Sequence, residues 1–485
     1  MEAARVLIAL SGIIVVGYSL LSIIFYGMPK GLPWAERIAL SYGLGIGFFS
    51  LEMLIFFIMG KAFSIAALAA PGLVVIVTVS IALIVNNRFR RTRDEGRGMF
   101  VDSTPQTSIV HHPIIHRDAR SLTNRTHLKT FLISAIAIII IYTGFRTMVK
   151  PIESYDAVGI HSLKSKIFFI NRSIPPDFFT GIGRSAIPHP DYPLNIPLIE
   201  TFLYVCIGSL NDQLVKVIFF LYFISILTIL YYAIRRFADY NYALLFTFLL
   251  ASISQFNSFA TNAYLEVPLA YYCFASALYL ILWIEDRSRT SCLILSALMS
   301  GLAAWTKNEG LLYCVVYTAI VSAYLAAKRR QTGAAKIFLL PAAYLMIIAL
   351  ISAPWFLVKW RYGLTNSDVS MPSSPVIFVL FKNLWKMGPM AYDFQKQIFG
   401  PKKWNIIWIL ALATFALKSK RAFGPVMKYI TISILAVIAG YFAVYAVSRI
   451  DIRFLLRTTW SRFILHFLPL VVYWLARMWR EDMNS

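Results

Sequence analysis

Residues 150–196 read KPIESYDAVGIHSLKSKIFFINRSIPPDFFTGIGRSAIPHPDYPLNI, a stretch without a spanning apolar run in a chain that is otherwise mostly membrane. It starts where an apolar segment ends and carries two carboxylates, Glu153 and Asp156, close together. A basic, amphipathic run with Lys164 and Lys166 follows, then a Pro/Gly-rich run and a second polar knot of His189, Asp191 and Tyr192. Long irregular connections are uncommon unless functional. An ionisable cluster where a membrane helix meets water is a functional-site candidate by default.

Working outward, the 485 residues are 59% hydrophobic and only 14% charged, well below the roughly 25% typical of soluble domains. Apolar runs of about twenty residues recur along the chain, as in an all-α, polytopic transmembrane helical bundle. The runs are continuous rather than alternating, which excludes a β-barrel. The net charge of +23 comes from 46 Lys and Arg against 23 Asp and Glu. In a membrane protein such an excess belongs to cytoplasmic loops and does not point to nucleic acid. Cys206, Cys273, Cys292 and Cys314 all lie in apolar runs and read as small packed residues. The first apolar run, 6–26, is long enough to span and no small-residue cleavage site follows it, so no cleavable signal is expected.

Thirteen segments are expected to span: 5–27, 38–59, 64–85, 130–148, 213–234, 242–259, 267–284, 290–306, 309–327, 337–357, 404–417, 427–448 and 463–479. The 86–129 segment is basic, polar and expected to be partly disordered. With the basic pairs near 235, 287, 328 and 418 it is placed in the cytoplasm by the positive-inside rule. The 149–212 loop then lies outside. The apolar run 196–208 contains Glu200 and is too short to cross, so it reads as an interfacial or re-entrant helix of that loop. The count places the N-terminus outside and the C-terminus inside. It also divides the chain into 1–129, N-terminal membrane helices with a basic cytoplasmic loop, and 130–485, a transmembrane catalytic module. No soluble domain is expected at either end, and no internal repeat is visible.

Several ionisable residues fall on the outer side. Asp156 either caps the helix that starts near Ala157 or serves as a general base. Glu266, in TNAYLEVPLA, opens a helix where a carboxylate gains from the helix N-terminus. Lys307 and Glu309, in AAWTKNEG, read as an ion pair at an outer turn. Arg449, Arg453, Arg457 and Arg462 are spaced by about one helical turn, which puts several on a shared face. A basic face there suits an anionic headgroup, or ordinary snorkelling. His189 and Asp191 are a weak metal signal and read better as hydrogen-bonding groups. No metal or other cofactor is expected.

The order SYDA, KSKIFF, HPDYPLNIP, NAYLEVPLA, GLAAWTKNEG, SAPWFLVKW and TTWSRFILHFLP resembles the GT-C superfamily of polytopic membrane glycosyltransferases. The likeness is to the branch similar to bacterial and archaeal protein O-mannosyltransferases and aminoarabinose transferases, over roughly 130–470. The resemblance implies transfer of a sugar from a polyprenyl-phosphate donor, with inversion at the anomeric centre. The acceptor would be a glycan, lipid or protein at the extracytoplasmic face of the plasma (inner) membrane. It places the acidic catalytic residue of the first outer loop at Asp156. Glu266 stands where relatives often have Asp, and 1–129 has no counterpart.

The residues suit that chemistry. Asp156, or Glu266, would take the acceptor proton, and Arg453, Arg457, Arg462 or Lys307 would pair with the phosphate, the arginines bidentately. His189, Asp191, Tyr192 and Glu309 would line the substrate site. No nucleotide-binding fingerprint appears, in keeping with a lipid-linked donor. A flippase for a lipid-linked sugar or a non-catalytic envelope-assembly protein are the alternatives. A flippase should place ionisable residues deep within its spans, whereas here most sit at helix ends.

Overall fold

A computed structural model describes residues 1–26, 31–97, 119–180, 187–331, 333–365, 376–448 and 450–480, with backbone alone at 86–97, 119–125, 334, 376 and 377. Among the described residues all regular structure is helical. Among the described residues ten helices are long and apolar enough to cross a membrane, or eleven if the bent pair Tyr240–Ala251 and Ser254–Thr261 counts as one span. The chain is an integral, multi-pass membrane protein.

The expected thirteen full spans are therefore corrected. Thr290–Thr306 has 17 residues and Ile407–Leu417 only 11. At about 1.5 Å per residue, the latter covers little more than half of a ~30 Å hydrocarbon core. The expected span 242–259 bends by 66° at its break. A break inside a membrane frees backbone carbonyls that must find other donors. Side-chain amides supply them: Asn257 Nδ2 donates to the Ala251 carbonyl at 2.5 Å, and Asn405 Nδ2 to the Ser252 carbonyl at 3.1 Å. Asn405 thus joins the broken span to the start of the short Ile407–Leu417 helix.

The basic 86–129 segment is also more ordered than expected at its ends. Helices Ile65–Arg97 and Ala119–Val149 continue beyond their apolar runs; residues 98–118 lie outside the described residues. The 149–212 loop is built rather than irregular. It holds a π-helical turn, Ala157–Ser162, then helix Leu163–Asn171, closed by Arg172 at φ 51°, and helix Asn195–Ile207, closed by Gly208 at φ 87°. The last of these is buried along almost its whole length and packs against Glu2–Ile24 and Trp34–Ile58. Asn195 anchors it, accepting from Ser50 at 2.6 Å and donating to Thr306 at 2.8 Å. The short apolar run is a helix of the loop, as its length requires.

Glu266–Glu285 is the central helix, buried on every side up to its last residue, Glu285. Its sequence is apolar all round, the pattern of an interior helix. Ile65–Val85, Thr126–Val149 and Ala335–Arg361 lie at the periphery and turn residues such as Ile141, Phe145 and Leu350 outward. The first two helices pack closely: a Cβ at Gly17 would lie 1.8 Å from the Ser41 carbonyl oxygen, and one at Gly45 1.9 Å from that of Ile13. Small residues permit such contact between membrane helices. Core residues from 1–129 and 130–485 form one cluster.

Side-chain ties define two ends. At one, Glu2 accepts from Ser209 and Asn211, and Arg5 donates to the Ile207 carbonyl at 2.6 Å. At the other, Arg236 pairs with Glu36 at 2.7 Å, and Arg480 Nε donates to the Phe237 carbonyl at 3.0 Å. The start of the first helix therefore shares a side with the 149–212 loop, and the end of the last helix sits with the basic pairs.

Candidate active site

Four elements converge at the loop end of the bundle. The central helix brings Glu266, its first residue, and the turn after Thr290–Thr306 brings Lys307 and Glu309. Helix Ile452–Arg480 brings Arg462, and the 149–212 loop brings Asp156 just ahead of its π-helical turn. The charges alternate along a chain of contacts. Arg462 Nη1 lies 2.5 Å from Asp156 Oδ2, and its Nε lies 2.6 Å from Glu266 Oε1. Lys307 Nζ lies 3.0 Å from the same Glu266 oxygen and 2.9 Å from Glu309 Oε1. The Arg462 guanidinium also sits 5.0 Å above the Tyr264 ring.

Burial is graded. Glu266 is wholly enclosed, whereas the Asp156 and Glu309 side chains are 21% and 23% exposed. Glu266 forms the floor and the other two carboxylates the opening. Burial alone would lower the Lys307 ammonium, but Glu266 and Glu309 offset it and hold the group above its ordinary value. The second Glu266 oxygen is buried and has no hydrogen-bond partner among the described residues.

The capping role of Asp156 is corrected. It stands at the N-cap position, but with helical dihedrals and no side-chain cap hydrogen bond; its carboxylate is turned to Arg462 instead. The shared arginine face is also corrected. At about 100° per residue, Arg457 lies some 40° from Arg453, whereas Arg462 lies about 180° away. Accordingly Arg453 and Arg457 are exposed and Arg462 is directed into the cluster. Arg449 lies outside the described residues.

His189, Asp191 and Tyr192 form a second, adjoining group around Lys164. Lys164 Nζ donates to the His189 carbonyl at 2.5 Å, and the His189 and Tyr192 rings stack at 4.5 Å between centroids. His189 takes φ 52°, a left-handed backbone that Asn, Asp and His tolerate better than most residues. Asp191 is buried and acts electrostatically on Lys164 and Lys359. Burial pulls the Lys164 ammonium down to about 7 against the opposing charge of Asp191.

Two buried histidines went unread in the sequence. His161 joins the two groups: its ring faces Tyr192 at 6.4 Å, and its Nδ1 has no hydrogen-bond partner among the described residues. Burial, then the charge of Lys164, pushes its imidazole well below the ordinary value. His466 lies one turn beyond Arg462 on the same face, with Nδ1 2.8 Å from the Tyr441 hydroxyl. That four-residue spacing was the available signal. Among the described residues no three His, Cys, Asp or Glu side chains are placed to hold a metal ion.

No protein-family model matches the chain, and no curated protein matches it. Among solved structures it is similar to the crystal structure of ArnT from Cupriavidus metallidurans bound to undecaprenyl phosphate. The likeness has a TM-score of 0.49 at 15% identity, and covers 72% of this chain and 60% of that one. This chain thus spans less than two thirds of the length of that protein.

The cluster can hold ionised carboxylates in a largely enclosed space. Counting Asp156, Glu266 and Glu309 against Lys307 and Arg462 gives −3 + 2 = −1. It is therefore not an anion site alone. It is a place where a carboxylate can accept a proton or face a developing positive charge, beside two cations that carry more N–H donors than the carboxylates take.

Proposed function

We propose that this protein is an integral-membrane glycosyltransferase that moves a sugar from a polyprenyl-phosphate donor to an acceptor hydroxyl, with inversion, at the extracytoplasmic face of the plasma membrane. The single observation that carries this reading is the convergence of Asp156, Arg462, Glu266, Lys307 and Glu309 at the loop end of the bundle. The order of motifs that resembles GT-C transferases supports it.

In this reading Asp156, partly exposed at the opening, takes the proton of the acceptor hydroxyl. The acceptor oxygen forms the new bond to the anomeric carbon as the bond from that carbon to the phosphate oxygen breaks. The electron pair leaves with the polyprenyl phosphate. Glu266 and Glu309 face the positive charge that builds on the sugar. The N–H donors that Arg462 and Lys307 do not spend on carboxylates receive the charge that builds on the phosphate; such preorganised electrostatics is often the largest catalytic term. Lys164, His189, Asp191 and Tyr192 form the adjoining wall of the substrate site. The acceptor is a glycan, a lipid or a protein.

Lipid analysis of a strain lacking the protein tests this reading. A polyprenyl-phosphate sugar that accumulates and disappears on complementation is expected. An unchanged lipid pool, with accumulated sugar on neither face, counts against transfer. Accumulation confined to the cytoplasmic leaflet favours a flippase.

A further inference from the structure

A cavity lies at the end of the bundle opposite the candidate active site. It has a volume of about 710 Å³ and opens between residues 31–33, which lead into helix Trp34–Ile58, the central helix and the final helix. Glu285 and Arg477 in its wall stand on the same two helices as Glu266 and Arg462 in the candidate active site. The fifteen residues from Arg462 to Arg477 separate the two places by roughly 22 Å along the helix axis.

Arg236 and Tyr279 line this cavity, and both are held by Glu36, which does not line it. Both Glu36 oxygens accept from Arg236 at 2.7 Å, and one also accepts from the Tyr279 hydroxyl at 2.9 Å. Glu36 is fully buried. Its charge is satisfied and leaves nothing for a ligand.

The rim differs. Arg477 pairs with Glu285, and their side chains remain 17% and 28% exposed. Arg289 pairs with Asp286 at 2.9 Å, and both side chains are 42% exposed. Among the described rim residues, two cations and two carboxylates therefore face one ligand-sized space and balance in charge, as does the Arg236–Glu36 pair beside them. Aromatic and apolar side chains complete the wall, with Phe25 and Leu282 among them, and Phe237 lies beneath the Arg477 guanidinium at 5.3 Å.

This pattern selects a chemistry. An anion alone would leave two carboxylates facing it, and a cation alone would leave two arginines. A molecule with both charges can divide these partly solvated pairs, whose own attraction is modest. Arginine suits a phosphate, and an ammonium with N–H donors suits a carboxylate. The apolar wall at the end of a membrane bundle supplies a place for the adjoining glycerol and acyl carbons. We infer that this cavity binds the headgroup of a zwitterionic phospholipid with a primary ammonium, its phosphate on Arg289 and Arg477 and its ammonium on Glu285 and Asp286.

The inference does not depend on glycosyl transfer and is tested by binding to the full chain. Purified protein is placed in nanodiscs of phosphatidylcholine doped with phosphatidylethanolamine or phosphatidylglycerol, and retained lipids are counted by native mass spectrometry. Phosphatidylethanolamine should be enriched at least five-fold over the other two. The double variant Glu285→Gln/Arg477→Gln removes one whole pair and leaves no unmatched charge, and it should lose that enrichment. Soluble phosphoethanolamine should not displace the lipid at millimolar concentration. Equal retention of the three lipids by the parent, preference for phosphatidylglycerol, displacement by soluble phosphoethanolamine, or unchanged enrichment in the double variant would each overturn the assignment. The parent's lipid ranking stands as a test even where the variant does not fold.

Discussion

Replacing Glu266 by Gln removes the charge on which two buried cations converge. Glu266 is fully enclosed and accepts from Arg462 at 2.6 Å and Lys307 at 3.0 Å through one oxygen. Removing one partner of a buried pair typically costs about 3–5 kcal/mol, because the other charge is left uncompensated. Here each cation keeps a second carboxylate, Asp156 for Arg462 and Glu309 for Lys307, both partly solvated. The expected loss is therefore at the lower end, about 3 kcal/mol. Thermal and denaturant unfolding of the purified variant in detergent reads it. The double variant Glu266→Gln/Lys307→Met removes a cation with the anion and should recover at least half of the loss, a coupling that a double-mutant cycle isolates. A single variant within about 0.5 kcal/mol of the parent, the range of an ordinary surface substitution, would refute the alternating network.

The two exposed arginines should behave unlike the buried one: Arg453→Ala and Arg457→Ala should leave stability within about 0.5 kcal/mol and donor binding unchanged, whereas Arg462→Ala should weaken binding of a polyprenyl-phosphate sugar at least ten-fold in a direct binding assay. The contribution of Glu200 to stability should also fall as pH rises, because burial pushes its carboxyl up to about 8. A group raised in the folded state contributes fully below its unfolded value near 4.5 and loses that contribution as pH rises through about 8. The melting temperature of the parent minus that of Glu200→Gln should thus decline from pH 5 to pH 8.5, while the buried His161 and Lys164, lowered in the folded state, act in the opposite sense in both proteins and cancel in the difference. In a background lacking the four native cysteines, a cysteine introduced at Asn171 should react with a membrane-impermeant reagent from outside the cell, and one at Ser288 should react only after permeabilisation; the reverse pattern would move the site to the cytoplasmic face.

Much of this organisation is legible in the sequence because the bilayer restricts the alternatives. A run such as 266–285 has no polar stripe, and only an interior helix accommodates it. The short run ending at Gly208 could not cross, and it is a buried helix of the loop. Hydropathy does not encode where a span breaks. The bend after Ala251 depends on Asn257 and on the distant Asn405, which rescue carbonyls that a local reading takes to be bonded within the helix.

The site was legible in its charges and less so in its geometry. Asp156, Glu266, Lys307, Glu309 and Arg462 each stand at the edge of an apolar run, where an ionisable residue is conspicuous. Their convergence depends on tertiary packing of four elements. The one-turn spacing of the late arginines misled because 457 to 462 is five residues, enough to turn Arg462 to another face. His466 was hidden by its apolar neighbours, although it follows Arg462 by four residues, whereas His161 lies openly in the polar loop stretch and only the fold shows that it is buried.

The central claim rests on Asp156, and Asp156→Asn tests it most directly. Asn keeps the shape of the side chain and can still accept a hydrogen bond from Arg462 through its amide oxygen, but it takes no proton at neutral pH. Turnover of a polyprenyl-phosphate sugar is measured beside donor affinity and melting temperature on the same purified variant. The account predicts a folded protein that still binds donor and transfers sugar at least about 10²-fold more slowly, the scale of a lost general base. A folded variant that binds donor and turns over at close to the parental rate would contradict it.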